Sequence, residues 1–285
     1  MIMKKIEQAI FLLIFLLWVW IPMESRSDSL AAGPFSLLNR CEESIPGRFV
    51  VDLVKTGEYV VSSPVRWDRE DWLLAGGTLM ITAGLMVALD DNIKNSVQAE
   101  RFENGRDAFH TFNSLSEPFG TILSLVGLWG GFGGAGLIWD DDHAKRTSKE
   151  LLETAAIEAV IVEGLKRTFG RARPNSVNGP HDFQLFGGNL SFPSGHTAFV
   201  FALASTVHAE YPAWWVGLLA YGLAGSVAAE RVAANAHWTS DVFFSAVLGT
   251  AIGRATVTFH KKDLPLKPVP LVGSDLLGLA LEYQF

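Results

Sequence analysis

The sequence predicts an all-α, membrane-associated bundle of about six helices, and three observations carry that expectation. Of the 285 residues 49% are hydrophobic and only 19% charged, too apolar a balance for an ordinary soluble domain. Two long uncharged runs end abruptly at acidic residues: Trp72 to Leu89 before Asp90-Asp91, and Phe119 to Trp139 before Asp140-Asp141-Asp142. Before the tail there is no convincing period-2 strand, and there is no internal repeat.

In chain order, residues 1–27 read as an export signal or an N-terminal anchor. Lys4 and Lys5 precede the apolar run Ala9 to Ile21, which is shorter than the roughly 20 residues of a membrane span. Residues 28–70 read as a linker. In it Phe49, Val50, Leu53 and Val54 supply either the apolar stripe of a short interfacial helix or ordinary core packing. Residues 71–260 form the helical-bundle domain. Its first apolar run, Trp72 to Leu89, gives way to a polar, charged stretch over 92–118. The second, Phe119 to Trp139, holds seven glycines, a composition that permits close packing of membrane helices.

Leu151 to Leu165 has a helix pattern bearing Glu153, Glu158 and Glu163. Carboxylates at membrane depth are costly and belong on a bundle interior; here they mark a helix partly out of lipid rather than a proton path. Thr197 to Ala209, Ala213 to Ala229 and Val242 to Phe259 complete the set. Residues 261–285 are a tail whose last eight residues alternate, a peripheral strand or a disordered end, since a lone strand cannot form a barrel.

A net charge of −7 argues against nucleic acid as a partner. The single cysteine, Cys41, reads as a free thiol, because Leu38-Asn39-Arg40 lacks the small residues expected before a lipidated cysteine. No Cys/His cluster has zinc spacing.

Three stretches carry chemistry. In Phe192-Pro193-Ser194-Gly195-His196-Thr197, Ser194 is a suitable N-cap and Gly195 lets a ligand approach the backbone. The helix start offers unpaired N–H groups to an anion. Taken alone, the hexapeptide serves equally well as a capped helix with a chance histidine. Upstream, Lys166 to Arg173 packs four cations into eight residues, of which Arg167 and Arg171 read as solvated or headgroup-facing charges. Downstream, Arg231, His237 and Asp241 follow one another, the last two at a helical i, i+4 spacing that lets Asp241 hold the His237 ring. Cations, helix-start donors and two histidines together suit phosphoryl transfer without a metal.

Lys166-x6-Arg173-Pro174, Pro193-Ser194-Gly195-His196 and Arg231-x5-His237-x3-Asp241 resemble the three signature motifs of the type 2 phosphatidic acid phosphatase superfamily. That superfamily also includes bacterial acid phosphatases, glucose-6-phosphatase and vanadium haloperoxidases. The resemblance covers roughly residues 150 to 255. It implies that His237 is the nucleophile, that Asp241 orients it, and that His196 protonates the leaving oxygen. It also implies that Lys166, Arg173, Ser194, Gly195 and Arg231 bind the phosphate. One departure stands out: the residue before Arg231, usually serine in the family, is Glu230, a negative charge beside an anion site that either faces it or turns to pair with a cation.

The implied activity is a metal-independent, cofactor-free phosphatase acting through a phosphohistidine on a phosphate monoester or diphosphate of a membrane lipid. The active site lies between helix ends on one face of the bundle. Alternatives are a soluble or membrane-attached periplasmic acid phosphatase of broad specificity, and a vanadate-dependent haloperoxidase. A non-enzymatic membrane protein binding anionic headgroups is a further reading, against which the intact motif side chains argue. The expected partners are the lipid phosphate substrate and membrane lipids, with no nucleic acid and no obligate protein partner. The expected location is the cytoplasmic membrane of a bacterial-type envelope with the site facing the periplasm. That orientation puts Lys145, Arg146, Lys149, Lys261, Lys262 and Lys267 inside, as the positive-inside rule asks. It conflicts with an export signal followed by an outward-running Trp72 to Leu89. Either one early stretch packs without spanning, or the domain is periplasmic and only membrane-attached.

Overall fold

The computed structural model describes residues 45–103, 116–176, 179–262, 266–273 and 276–283. The expected export signal, the free thiol Cys41 and the first part of the linker, residues 28–44, lie outside these residues. The chain separates into two units, Met1–Asp52 and Leu53–Phe285. Of the first, the described part is residues 45–52, the opening of a helix; the rest of the description concerns the second.

The described residues contain eight α-helices, more than the six expected: α1 (Ile45–Val61), α2 (Arg69–Ala88), α3 (Asp90–Glu103), α4 (Ile122–Ile138), α5 (Asp142–Phe169), α6 (Gly195–Glu210), α7 (Trp214–Ala233) and α8 (Thr239–Lys262). The surplus comes from α1, inside the expected linker, and from α3, inside the polar stretch after the first apolar run. Local chemistry sets the ends of the others. Asp68 closes a capping box with Asp71 ahead of α2, and Thr121 caps α4. Asp141 Oδ1 accepts from the N–H groups of His143 and Ala144 and starts α5 well before the expected Leu151. That helix stops at Gly170, whose φ of 55° is left-handed and whose missing Cβ would otherwise collide with the Gln184 carbonyl.

Helices α5, α6 and α8 form the centre. The closest pair is α6 with α8, where a Cβ on Gly249 or Gly253 would run into the carbonyls of Ala198 or Ala202. Two glycines four residues apart on α8 thus let its backbone lie against α6. Apolar clusters fill the remaining gaps: Leu125, Leu151, Ala155 and Leu203 between α4, α5 and α6, and Val200, Ala204, Ala224 and Val227 between α6 and α7.

Helices α2, α7 and α8 are long and apolar enough to cross a membrane, and α4 is a shorter apolar helix. Trp72, Leu79, Met80, Ile122, Leu137, Trp214 and Leu218 stand exposed on α2, α4 and α7. Apolar surface on that scale is a lipid-facing one. The tail is a two-stranded antiparallel hairpin, β1 (Leu266–Gly273) with β2 (Leu276–Tyr283), so its terminal strand finds its partner within the tail.

Opposite ends of the central helices are chemically distinct. At one end Glu210 meets His143 (2.6 Å), Arg146 (3.2 Å) and Lys261 (3.1 Å), and Glu153 meets His260 (2.5 Å). The other end of α5, α6 and α8 carries the three motifs.

Candidate active site

The first motif occupies the end of α5 and the turn after it. Lys166 sits in the last helical turn, and past Gly170 the chain is pinned by Ala172 N–H to the Asp182 carbonyl (2.9 Å) and Ser191 N–H to the Arg171 carbonyl (3.0 Å). Arg173 is exposed on this turn. Arg171, whose charge reads from sequence as solvated or headgroup-facing, is instead fully buried. Its guanidinium donates to the Pro180 carbonyl (2.9 and 2.7 Å), to Ser240 Oγ (2.7 Å), to Asp90 Oδ2 (2.8 Å) and to Asp241 Oδ1. A buried cation needs such partners, and two carboxylates flanking it balance its charge. Arg167, by contrast, is exposed and pairs with Glu163 at 2.6 Å.

The second motif opens α6. Ser194 stands at the N-cap position as expected, but its hydroxyl lies 3.0 Å from Thr197 Oγ1 and its N–H donates to Ser245 Oγ at 2.7 Å. Ser194 is fully buried, so the structure gives this hydroxyl a framework contact. Gly195 lies against Lys166: a Cβ there would stand 3.2 Å from Nζ.

The third motif spans the end of α7 and the start of α8. Glu230 is buried and accepts from Nε of Arg231, which leaves the two terminal nitrogens of the guanidinium for an anion. His237 is buried, with Nδ1 2.7 Å from the Ser191 carbonyl oxygen. A carbonyl can only accept, so Nδ1 carries the proton and Nε2 the lone pair. The Asp241 carboxylate stands 3.8 Å from Nδ1, too far for the direct hydrogen bond that the i, i+4 spacing suggests. Asp241 Oδ2 instead accepts from Ser191 Oγ (2.6 Å) and from the Trp238 N–H (3.1 Å). It therefore holds the residue whose carbonyl holds the ring. Asp90, not singled out in the sequence, accepts from the Ser240 N–H (2.9 Å) and Oγ (2.6 Å) and so fixes the first turn of α8.

Lys166, Gly195 and His196 line an open pocket of about 490 Å³ together with Thr121, Glu158 and Phe199. Burial, reinforced by the neighbouring Arg231, His237, Lys166 and Arg173, pushes the His196 imidazole down to about 4. Burial likewise lowers His237; the Asp241 carboxylate opposes that fall, while Lys166 and Arg173 add to it. Lys166, Arg173, Arg231 and His237 are thus close enough for His196 to sense them, and Asp241 is sensed by Lys166 and His237, whereas Ser194 is buried in framework contacts. Of the predicted site residues Lys166, Gly195 and His196 line the pocket, while Arg173, Arg231 and His237 are not in its lining; the charges of Lys166, Arg173 and Arg231 reach His196, and a positive field of this kind suits a phosphate. Beside it, an apolar cavity of about 410 Å³ is lined by Phe119, Leu123, Leu128, Val200, Leu203 and Leu223, among others. The turn Glu117–Gly120 borders both, Phe119 on the apolar side and Gly120 on the polar one.

The chain is similar to lipid A 1-phosphatases. It is 30% identical to that of Porphyromonas gingivalis over 167 residues, 57% of this chain and 34% of the relative. It is 30% identical to that of Rhizobium johnstonii over 126 residues, 42% of this chain and 51% of the relative. The chain therefore spans between a third and a half of the length of these curated relatives. Its fold resembles that of a transmembrane PAP2-type phosphatidylglycerolphosphate phosphatase from Bacillus subtilis, with a TM-score of 0.53 at 18% identity, covering 67% of this chain and 95% of that one. Residues 149–265, the stretch that carries all three motifs and the helix ends that assemble them, match the PAP2 superfamily.

Proposed function

We propose that this protein is a bacterial membrane phosphatase that removes a phosphate monoester from a lipid A-type substrate through a phosphohistidine intermediate. The observation that carries the reading is the His237 ring. Its Nδ1 proton is committed to the Ser191 carbonyl and its Nε2 lone pair is left for phosphorus, beside the cations Lys166, Arg173 and Arg231. In this reading the guanidinium groups and Nζ take the charge that develops on the transferred oxygens, and His196 gives a proton to the leaving oxygen. Water then attacks the phosphohistidine with His196 as base. Asp241, through Ser191, keeps the tautomer. Glu230 holds one edge of Arg231 and so turns its other edge to the anion.

The lipid assignment is supported by the apolar cavity next to the pocket, by the exposed apolar faces of α2, α4 and α7, and by the names of the relatives. A site facing the periplasm is supported by Arg146, Lys149 and Lys261, which gather at the opposite end of the central helices, the end that the positive-inside rule places in the cytoplasm.

Because fixed cations replace a metal, purified protein should release phosphate from lipid A 1-phosphate in excess EDTA and should be inhibited by orthovanadate. Activity lost in chelator and restored by magnesium or zinc would overturn the metal-free mechanism.

A further inference from the structure

Glu158 faces the polar pocket yet has no part in the chemistry above. It lies on α5, two turns before Lys166, and lines the pocket with His196, Thr121 and Phe199. Its side chain is almost wholly buried, and Oε1 has no hydrogen-bond partner among the described residues. Other buried carboxylates on and against this helix have cations at hand: Glu150 with Arg146 at 3.8 Å, Glu153 with Lys149 at 3.6 Å, Glu210 with Lys261 at 3.1 Å. No such ion pair is found for Glu158 among the described residues. A buried acceptor without a donor is costly, and a fold carries that cost where a ligand supplies the missing partner.

The pocket fixes which part of a ligand that is. In the phosphatase reading the phosphate sits beside Lys166, toward Arg231 and His237, which are not in the pocket lining, and the leaving oxygen sits at His196. The group beyond that oxygen then lies on the side of the pocket where Glu158, Thr121 and Phe199 stand. We propose that Glu158 Oε1 accepts a hydrogen bond from a hydroxyl or amide N–H of the leaving group, so that the pocket selects a phosphorylated acyl-sugar over a glycerol-ester phosphate. The glycerol backbone of phosphatidic acid bears ester oxygens only; these are acceptors and leave Oε1 unpaired. A site with a buried polar group discriminates strongly against an analogue that lacks its partner. This assignment rests on the phosphatase reading above.

The test compares purified full-length protein in detergent micelles on four substrates: a 2-N-acylglucosamine 1-phosphate amphiphile, its 2-O-acyl ester analogue, phosphatidic acid and 4-nitrophenyl phosphate. Wild-type kcat/KM should be at least tenfold higher on the N-acyl sugar than on phosphatidic acid, with the ester analogue below the amide. Glu158→Ala should remove at least tenfold of the sugar activity and leave 4-nitrophenyl phosphate, which has no such donor, within threefold. Glu158→Gln, which keeps an acceptor oxygen, should restore part of the preference. Equal losses on the sugar and on 4-nitrophenyl phosphate, or an unchanged sugar preference in Glu158→Ala, would overturn the subsite and leave the phosphatase reading standing. Should the alanine variant not fold, a wild type that prefers neither the sugar nor the amide overturns the subsite by itself. A wild type inactive on all four substrates would bring down the phosphatase reading and this one with it.

Discussion

At His237 the proton on Nδ1 goes to a backbone carbonyl, and at His196 burial and the cations Arg231, Lys166 and Arg173 hold the ring near 4. The two histidines therefore answer pH differently. His237, lowered below its ordinary value, stays neutral and nucleophilic well into acid. His196 carries the proton needed by a poor leaving group only below about 4 in the empty site. For the free enzyme, kcat/KM on an alkyl lipid phosphate should fall as pH rises from about 4 toward neutrality, by up to about tenfold per unit. With 4-nitrophenyl phosphate, whose leaving group needs no proton, that falling limb should be absent; pH–rate profiles with a falling limb on both substrates would contradict the assignment of His196 as acid. The motif residues are legible in the sequence because their spacing is local. Arg171 is not: it sits among cations that read as solvated, and its partners Asp90 and Asp241 are 81 and 70 residues away.

Between elements, the same buried network joins the start of α3 to the turn after α5 and to the first turn of α8 through Asp90, Arg171 and Ser240. Removing one member of such a buried ion pair strands the other, at a cost of about 3–5 kcal/mol. For a unit of this size each kcal/mol lowers Tm by about 2–4 °C, so Asp90→Ala should melt about 10 °C lower, with a parallel loss of activity. A thermal melt within 2 °C of wild type would show that the network does not hold the site. The apolar helices α2, α4 and α7 are legible as uncharged runs and α8 as an apolar run broken only by Arg254, with ends displaced by a few residues where caps or glycines decide. Helix α3 is not legible, because its sequence DDNIKNSVQAERFE has no apolar stripe and its start is anchored by Asp90 across the fold. The early start of α5 is hidden for a related reason. Its charged first turns read as a loop, yet Arg146 is paired with Glu150 and with Glu210 on α6, and Glu153 with His260 on α8.

At the scale of the whole molecule, the central helices carry the three motifs at one end and an ion-pair cluster at the other. That polarity was legible from the order of the motifs and basic residues along the chain, but not the pairing of the tail into a hairpin, since its prolines obscure the first strand. With the site outside the cytoplasm, Asn175→Cys in a Cys41→Ser background should react with a membrane-impermeant thiol reagent in intact cells, and Asp140→Cys only after lysis. The reverse pattern would invert the topology. The central claim, that His237 takes the phosphoryl group, is tested most directly by trapping the intermediate. Purified protein mixed with a 32P-labelled lipid phosphate and quenched in alkali within milliseconds should yield an acid-labile, alkali-stable phosphoprotein. The label should appear in wild type, build up in His196→Ala on a substrate with a good leaving group, and be missing in His237→Ala. A labelled protein that survives His237→Ala, or that is stable to acid, would contradict the account.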